Sequence, residues 1–439
     1  MPISSFMGLQ TSLRGLLAQQ EAMDTTGHNV ANANTPGYSR QEAVLAPTQP
    51  FVVPANSVLT GAGAQLGTGV DVTTIRRIRD AFLDIQYRAQ STSLGDATAR
   101  SNSLDQVELA FAEPGSDGLA SQLSKFWDAW SDVANAPEDA GARGALVSSA
   151  QTLATSFQTL SSQLTTVAQQ AQDEYDAITG PTGDVASWAK ELAGLNTSIR
   201  DAVVRGQQPN DLMDRRDQLI DQLSSLAQVS VTDTGNSALK VDFGGVTLVD
   251  PTTPAGYSWP QTLTTPGGKL GALLDLASPA GAPLSFRSEL DAVASDLVTS
   301  VNALHTATPF FDPAGTTAAT ISVVATQATV QTGSGAASGE NDVAQAITAL
   351  RGGTTDQLYG ALVARVGVAV QANTRAESTA QSLVDAVDSR RQSISGVSLD
   401  EEMTNLIRFQ RGYQASARTM TTLDDMLDTL INRTGRTGL

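Results

Sequence analysis

Leu399-Asp400-Glu401-Glu402-Met403-Thr404-Asn405-Leu406-Ile407-Arg408-Phe409-Gln410-Arg411-Gly412-Tyr413-Gln414-Ala415 opens a periodic run near the C-terminus. Sampled at Leu399, Met403, Leu406, Gln410, Tyr413, Ala417, Met420, Asp424, Leu427 and Ile431, its steps alternate between four and three residues. That is the repeat of a coiled-coil seam. The other end of the chain carries the same rhythm at Phe6, Leu9, Leu13, Leu16, Gln20, Met23, Gly27 and Val30. Two such seams predict that the ends lie against each other as a helical stalk, with the rest of the chain carried as an insertion. The expected fold is mainly α with small β insertions: a coiled-coil-like stalk, an elongated helical bundle and a small antiparallel β subdomain.

Working outward from the seams sets the boundaries. Residues 1–38 are an axial helix and turn. The helix covers 6–31, about 38 Å at ~1.5 Å per residue. Pro36-Gly37 ends it with a type II turn signal, because Pro presets the second position and Gly supplies positive φ at the third. Residues 39–77 read as an extended connector: Pro47, Pro50 and Pro54 forbid a helix, Gly61, Gly63, Gly67 and Gly69 mark loops, and Val70, Val72 and Thr74 alternate. Helical periodicity fills 78–228, with breaks at Pro114, Pro137 and Gly180-Pro181. Its last helix follows Pro209. There Leu212, Leu219, Leu223 and Leu226 are expected inside, Asp211 pairs with Arg215, and Asp211, Asp214 and Asp217 read as a solvated face.

Residues 229–340 form a β-containing subdomain with an internal helix. Alternation over 229–249 predicts a small antiparallel sheet. A Pro/Gly/Thr-rich loop at 250–268 leads to a helix near 284–305, and short strands are expected at Ile321–Val324 and Ala328–Gln331. Residues 341–396 return as helices over 341–351 and about 355–393. Residues 397–439 are the C-terminal axial helix, opened by a capping box of Ser398 and Glu401 and running to about Asn432. Leu423, Leu430, Ile407, Phe409 and Met426 lie off its main seam, as Leu17 does on the N-terminal helix. A helix apolar on more than one face needs more than one partner.

The charge pattern agrees with packed ends. The formal net charge is −18. Residues 1–100 hold 7 basic and 7 acidic groups, residues 397–439 hold 5 and 6, and residues 101–396 hold 15 and 32. Near-neutral ends tolerate crowding, whereas the acidic middle favours water. This balance excludes a nucleic-acid partner, which needs clustered Lys and Arg.

Catalytic and metal chemistry find no support. Cysteine is absent, so thiolate nucleophiles, disulfides and Cys-ligated metals are excluded. His28 and His305 have no i+4 ligand partner and read as surface or structural groups. Ser187-Trp188-Ala189-Lys190 matches S-x-x-K without the accompanying S-D-N or K-T-G. No metal, cofactor or small-molecule substrate is expected. A hydrolase using paired Asp and Glu is a remote alternative that rests only on abundant carboxylates. No signal-peptide pattern opens the chain, and no apolar run reaches the ~20 residues of a membrane span.

Asn29-Val30-Ala31-Asn32-Ala33-Asn34-Thr35-Pro36-Gly37-Tyr38 resembles the signature of flagellar rod, hook and hook-associated axial proteins, and Leu399–Ala415 is similar to their C-terminal helix. Tyr38-Ser39-Arg40-Gln41, Asp80-Ala81-Phe82-Leu83-Asp84, the helix over 210–223 and Gly267-Gly268-Lys269-Leu270-Gly271-Ala272-Leu273-Leu274 resemble the hook-associated protein 1 family in particular. The resemblance implies a structural subunit joining hook to filament, exported through the flagellar type III channel without cleavage. It also implies as partners other copies of the chain, hook protein, a neighbouring hook-associated protein and an export chaperone on the C-terminal helix. A hook or other axial protein is the alternative. The expected assembly surface is Phe6, Leu9, Leu13, Leu16, Leu17, Met23, Val30, Asn34, Pro36, Gly37 and Tyr38 at one end. At the other it is Leu399, Met403, Leu406, Ile407, Phe409, Tyr413, Met420, Leu423, Met426, Leu427, Leu430 and Ile431, shared with the chaperone.

Overall fold

The computed structural model describes residues 6–52, 65–115, 118–335, 337 and 339–433. Pro54, Gly61 and Gly63 of the expected connector lie outside them. Helix α1 (Met7–Ala31) packs along α11 (Leu399–Asp428), which continues as a π turn over Thr429–Arg433. Strand β1 (Gln41–Pro47) pairs antiparallel with β4 (Val70–Arg77), Gln41 opposite Arg77, and this ribbon lies on α1. A second, short pair joins β2 (Phe51–Val52) to β3 (Gln65–Leu66).

The body consists of α2 (Ala81–Phe111), α3 (Leu119–Asn135), α4 (Ala140–Thr179), α5 (Asp184–Val204), α6 (Asn210–Leu226), α7 (Gly268–Ala277), α8 (Ala282–Leu304), α9 (Asp342–Thr348) and α10 (Thr354–Ser395). A meander of β5 (Val229–Asp233), β6 (Leu239–Phe243) and β7 (Val246–Val249) follows α6. The long helices α2 and α4 contribute to both of two cores, and α10 to the first. The first is aromatic. Leu119, Leu123, Phe126, Trp127, Trp130 and Val133 recur on one stripe of α3 and meet Phe157, Leu290, Leu297, Phe310, Phe311 and Tyr359. Phe126 stands 5.0 Å from Trp127 and 5.8 Å from Phe311, centroid to centroid. Such fully buried side chains contribute about 1.5–3 kcal/mol each. The second core joins Val185, Leu192, Leu219, Ile220 and Leu223 to Phe243, Leu248, Leu270 and Leu276 from the meander and α7.

Several expectations need correction. Residues 321–324 and 328–331 form no strands; Val323 makes one isolated bridge to Phe311. The segment instead folds as turns closed by threonine. Thr320 Oγ1 accepts from Thr317 N, and Thr329 Oγ1 accepts from Thr326 N, so hydroxyls satisfy the backbone in place of a ladder. Asn302 accepts from Phe310 N and Phe311 N at 2.8 and 3.0 Å. His305 is buried and structural: its Nε2 accepts from Gln331 N and its Nδ1–H donates to Thr308 O. Helix α7 occupies a span that the periodicity left without an element; ten residues are too few for a pattern to register. Leu212 is on the outside and Met213 takes the inner position. No capping box forms at α11, because Glu401 turns to Arg40, a charged partner stronger than a backbone N–H.

Gly95 sits inside α2, where alanine is normally favoured by about 1 kcal/mol. Here a Cβ would lie 2.0 Å from Ser225 O, at the end of α6. Gly95→Ala is therefore expected to destabilise by about 1–3 kcal/mol in urea titrations, the overpacking penalty. A stabilised variant would contradict the packing of α2 on α6.

Candidate functional site: the paired ends and their anchor

Helices α1 and α11 meet through small residues. A Cβ added to Gly8 would lie 3.2 Å from Leu423 Cδ1, one on Gly15 would lie 3.1 Å from Ser416 Oγ, and one on Gly412 would lie 2.9 Å from Gln19 Cδ. Farther along, Asn29 Nδ2 donates to Glu402 Oε2 at 3.0 Å. Every step up α1 is matched by an equal step down α11, which is an antiparallel pair in one unbroken register. Ser12, Ala22, Thr26 and Asn29 are buried along the same line. The contact seam is thus displaced by one residue from the apolar ladder at both ends, which corrects the expectation that the ladders face each other. Small side chains let the backbones approach. Most of the large ones are turned to the flanks, Leu423 on Gly8 being the exception.

Leu9, Leu16, Met23 and Val30 are half-buried, while Phe6, Leu13 and Leu17 are exposed. On α11 Leu406, Phe409, Tyr413, Met420, Leu423 and Leu427 are half-buried, and Leu399, Met403, Ile407, Met426 and Ile431 are exposed. The side chain of Leu430 lies outside the described residues. Glu402 is the one buried residue of α11. Of the turn, Asn34, Pro36 and Gly37 are exposed and Tyr38 is half-buried. Gly37 has φ +80, and Tyr38 N donates to Thr35 O, as the turn signal requires.

At its base the pair is tied down by polar groups that pattern reading missed. Asn29, 1% exposed, uses its full hydrogen-bonding capacity. Its Oδ1 accepts from Gln41 N (2.9 Å) and Tyr38 Oη (2.8 Å), and its Nδ2 donates to Gln41 O (2.8 Å) and Glu402. One side chain thus joins α1, the turn, β1 and α11. Arg40 Nη1 donates to Glu401 at 2.7 Å. Its Nε stands 2.8 Å from Glu402 Oε1, yet that oxygen accepts no aligned hydrogen bond, so this contact is a charge pair.

Below this lies a buried ionic network. Arg77 Nη1 donates to Asp214 and Asp217, both at 2.8 Å. Arg79 reaches Asp217 at 2.7 Å and grips Asp84 with two nitrogens at 2.8 and 3.1 Å. Arg88 and Arg391 share Asp221, and the Arg391 guanidinium lies 4.0 Å above the Tyr87 ring. Asp214 also accepts from Ser39 N. The expected solvated face of Asp211, Asp214 and Asp217 is thereby overturned: Asp214 and Asp217 are buried against Arg77 of β4 and Arg79 just beyond it, and Asp211 turns to His28 and Gln41 instead of Arg215. Burial alone would raise the Asp217 pKa; Arg79, Arg77 and Arg216 outweigh it and hold it below the ordinary value. Arg216 is pushed down to about 10 by burial, against the pull of Asp217. The arrangement fixes the geometry of β4, α2, α6 and α10. Among the described residues no group of three or more His, Asp or Glu is placed to hold a metal ion, and no helix is long and apolar enough to cross a membrane.

A stalk made from both chain ends, locked to a helical body, defines an axial protein of the flagellar rod-and-hook class. Residues 9–38 match the flagella basal body rod protein family and 388–433 match the flagellar basal body rod FlgEFG protein C-terminal family. Residues 104–262 match the flagellar hook-associated protein FlgK helical domain. Flagellar hook-associated protein 1 of Bacillus subtilis is 31% identical over 505 residues, covering 98% of this chain and 99% of that one. The namesakes of Salmonella typhimurium and Escherichia coli are 33% and 32% identical, over 55% and 52% of this chain but only 42% and 40% of theirs. The flagellar hook junction protein FlgK of Burkholderia pseudomallei superposes with a TM-score of 0.43 at 25% identity, over 50% of this chain and 43% of that one. The chain belongs to the flagellar hook-associated protein 1 family, and with that it is a structural protein of the flagellum and no enzyme. The hydrolase alternative falls with this membership.

Asn29→Ala leaves Gln41 N, Tyr38 Oη and Glu402 without their partner, each orphan costing about 1–3 kcal/mol. Hydrogen exchange is expected to report lost protection in α1, β1 and α11 with the two body cores unchanged; retained stalk protection would remove Asn29 from its anchoring role. For Asp217 the folded pKa lies below the unfolded value of 3.8. Its stabilisation is complete above that pH and is lost as pH falls through the folded pKa. Acid titration of stalk protection is expected to show a loss confined below about pH 4 that Asp217→Asn abolishes.

Proposed function

We propose that the chain is a subunit of the junction between hook and filament, assembled by packing its α1–α11 pair against those of its neighbours. The observation that carries this reading is the outward placement of the apolar ladders. Helix α11 spends its small residues on α1 and keeps Leu399, Met403, Ile407 and Met426 in water. Covering such side chains stabilises an assembly at about 25 cal/mol per Å² of apolar area. Contiguous apolar strips of this kind mark interaction surfaces. The partners are further copies of the chain, hook protein on one side and a second hook-associated protein on the other. Before export the same α11 face is covered by a cytoplasmic chaperone, and export runs through the flagellar channel without cleavage. The helical body over α2–α6 favours this place over that of a hook subunit.

The double variant Met403→Asp/Ile407→Asp tests the reading. Exposed positions tolerate substitution within about 0.5 kcal/mol, so the purified monomer keeps its circular dichroism and thermal midpoint. Cells carrying it are expected to build hooks without filaments, and the variant loses binding to isolated hooks. Normal filaments on such cells would overturn the proposal.

A further inference from the structure

The two longest helices of the body have surfaces unlike the rest of the molecule. Between Arg143 and Asp173, α4 has no charged residue, although the chain's net charge is −18. Its exposed positions there are Ser, Thr and Gln, with Ala145 the exception; Ser148, Thr152, Thr155, Thr159 and Ser162 are among them. Ordinary surfaces carry about 25–35% charged residues. On α10, the one carboxylate between Asp356 and Asp385 is Glu377, which is held by Thr98 Oγ1 of α2. The outer face of α10 presents Ala361, Val368, Ala372 and Leu383.

These faces occupy opposite corners of the body, because α2 and α8 each pack against both α4 and α10 and so stand between them. The helices also run in the same direction: Leu146 and Leu153 of α4 and Tyr359 and Leu362 of α10 all belong to the aromatic core, near the start of each helix. The heights match too. Thr98 meets Glu377 on α10 and shares a cleft with Gln170, Ala171 and Glu174 of α4. Asp173 and Asp176 therefore stand level with Arg375. All three are exposed, and among the described residues neither aspartate has a cationic partner and Arg375 has no anionic one.

We propose that the outer faces of α4 and α10 are the two halves of a head-to-tail contact between copies of this chain, in which Arg375 of one copy meets Asp173 and Asp176 of the next. This rests on the assembly reading above. A heterologous contact repeated by rotation about the stalk needs two different, complementary faces on opposite sides of the subunit, presented in parallel at one height. Copies this acidic repel one another when placed side by side, and the charge-free strip of α4 is where that repulsion vanishes. A strip about 40 Å long and about 10 Å wide covers on the order of 400 Å² per copy. That is half of the ~800 Å² per partner in a stable complex, so the contact forms only when the stalks hold the copies together.

The chain's lack of cysteine gives a clean background for the test. Asp173→Cys/Arg375→Cys is assembled on isolated hooks and treated with a short bismaleimide. The expected product is a covalent ladder running past the dimer, absent from either single variant and from unassembled protein. Hook binding at the parental level without a ladder, or cross-links only to hook protein, would overturn the contact while leaving the assembly reading intact. If the parent chain itself does not pellet with hooks, both fall. Independently, Arg375→Glu is expected to lower the assembled fraction about threefold, and adding Asp173→Arg and Asp176→Arg to restore it, since reversing both sides regenerates the pairing. Failure of the reversed set to recover, with hook binding otherwise normal, also counts against the pairing.

Discussion

The stalk depends on one side chain's geometry. Asn29 is an amide with two donors and two accepting lone pairs, and the fold surrounds it with two acceptors and two donors. An aspartate there would set a second carboxylate against Glu402, and an apolar residue would strand four groups at once. Because Asn29 lies on α1 and its partners come from the turn, β1 and α11, the angle at which these segments meet is set at this point. The seam beyond it is too thin to set that angle alone: glycine, serine and alanine allow close approach but bury little apolar area.

The ionic network beneath extends the same logic. Arg77, Arg79, Arg88 and Arg391 share four aspartates across β4, α2, α6 and α10. Desolvating so many charges costs much of what their attraction returns, so the cluster adds little net stability. What it supplies is direction. Bidentate guanidinium contacts tolerate little rotation, whereas an apolar patch allows sliding. Two hydrophobic cores stabilise the body, and polar groups of fixed geometry orient the stalk on it. Breaking one of these contacts loosens orientation before it unfolds either core.

Much of this was legible in the sequence. The 3.5-residue repeat located both axial helices, Pro36-Gly37 located the turn, and β-branched alternation located the meander, since each of these signals is local. What was lost depends on distance. The ladders read as the seam because apolar residues normally pack, yet the residues one position earlier make the contact: Gly8 meets Leu423, Gly15 meets Ser416 and Gln19 meets Gly412, with Ala22 buried on the same line. Their seven-residue spacing was visible, but only a partner helix gives it meaning. Asp214 and Asp217 read as solvated because a carboxylate on a helix usually is. Their arginines come from a strand far back in the chain, and no window spans that gap. Residues 321–324 and 328–331 read as strands because β-branched residues recur there; the hydroxyls of Thr320 and Thr329 close turns instead, and Gln158 Nε2 of α4 donates to Ile321 O.

Charge then explains why the molecule is partitioned as it is. An axial protein must crowd identical copies, and identical copies carry identical charge. The ends, which form the stalk, are nearly neutral, with 7 basic and 7 acidic residues in the first hundred. The body carries the excess of carboxylates, which favours water. A uniformly acidic body would splay its neighbours and strain the anchored stalk at Asn29. The repulsion is relieved if the acidic groups sit on faces that look outward and long stretches of the flanking helices carry few of them. The distribution along α4 and α10 has that form. Hydroxyl and amide side chains remain soluble in the monomer without an apolar surface that would aggregate, and they can approach a neighbour without Coulomb cost. The stalk carries exposed apolar side chains at Phe6, Leu13, Leu17, Leu399, Met403, Ile407 and Met426, whereas the α4 strip offers hydroxyls and amides.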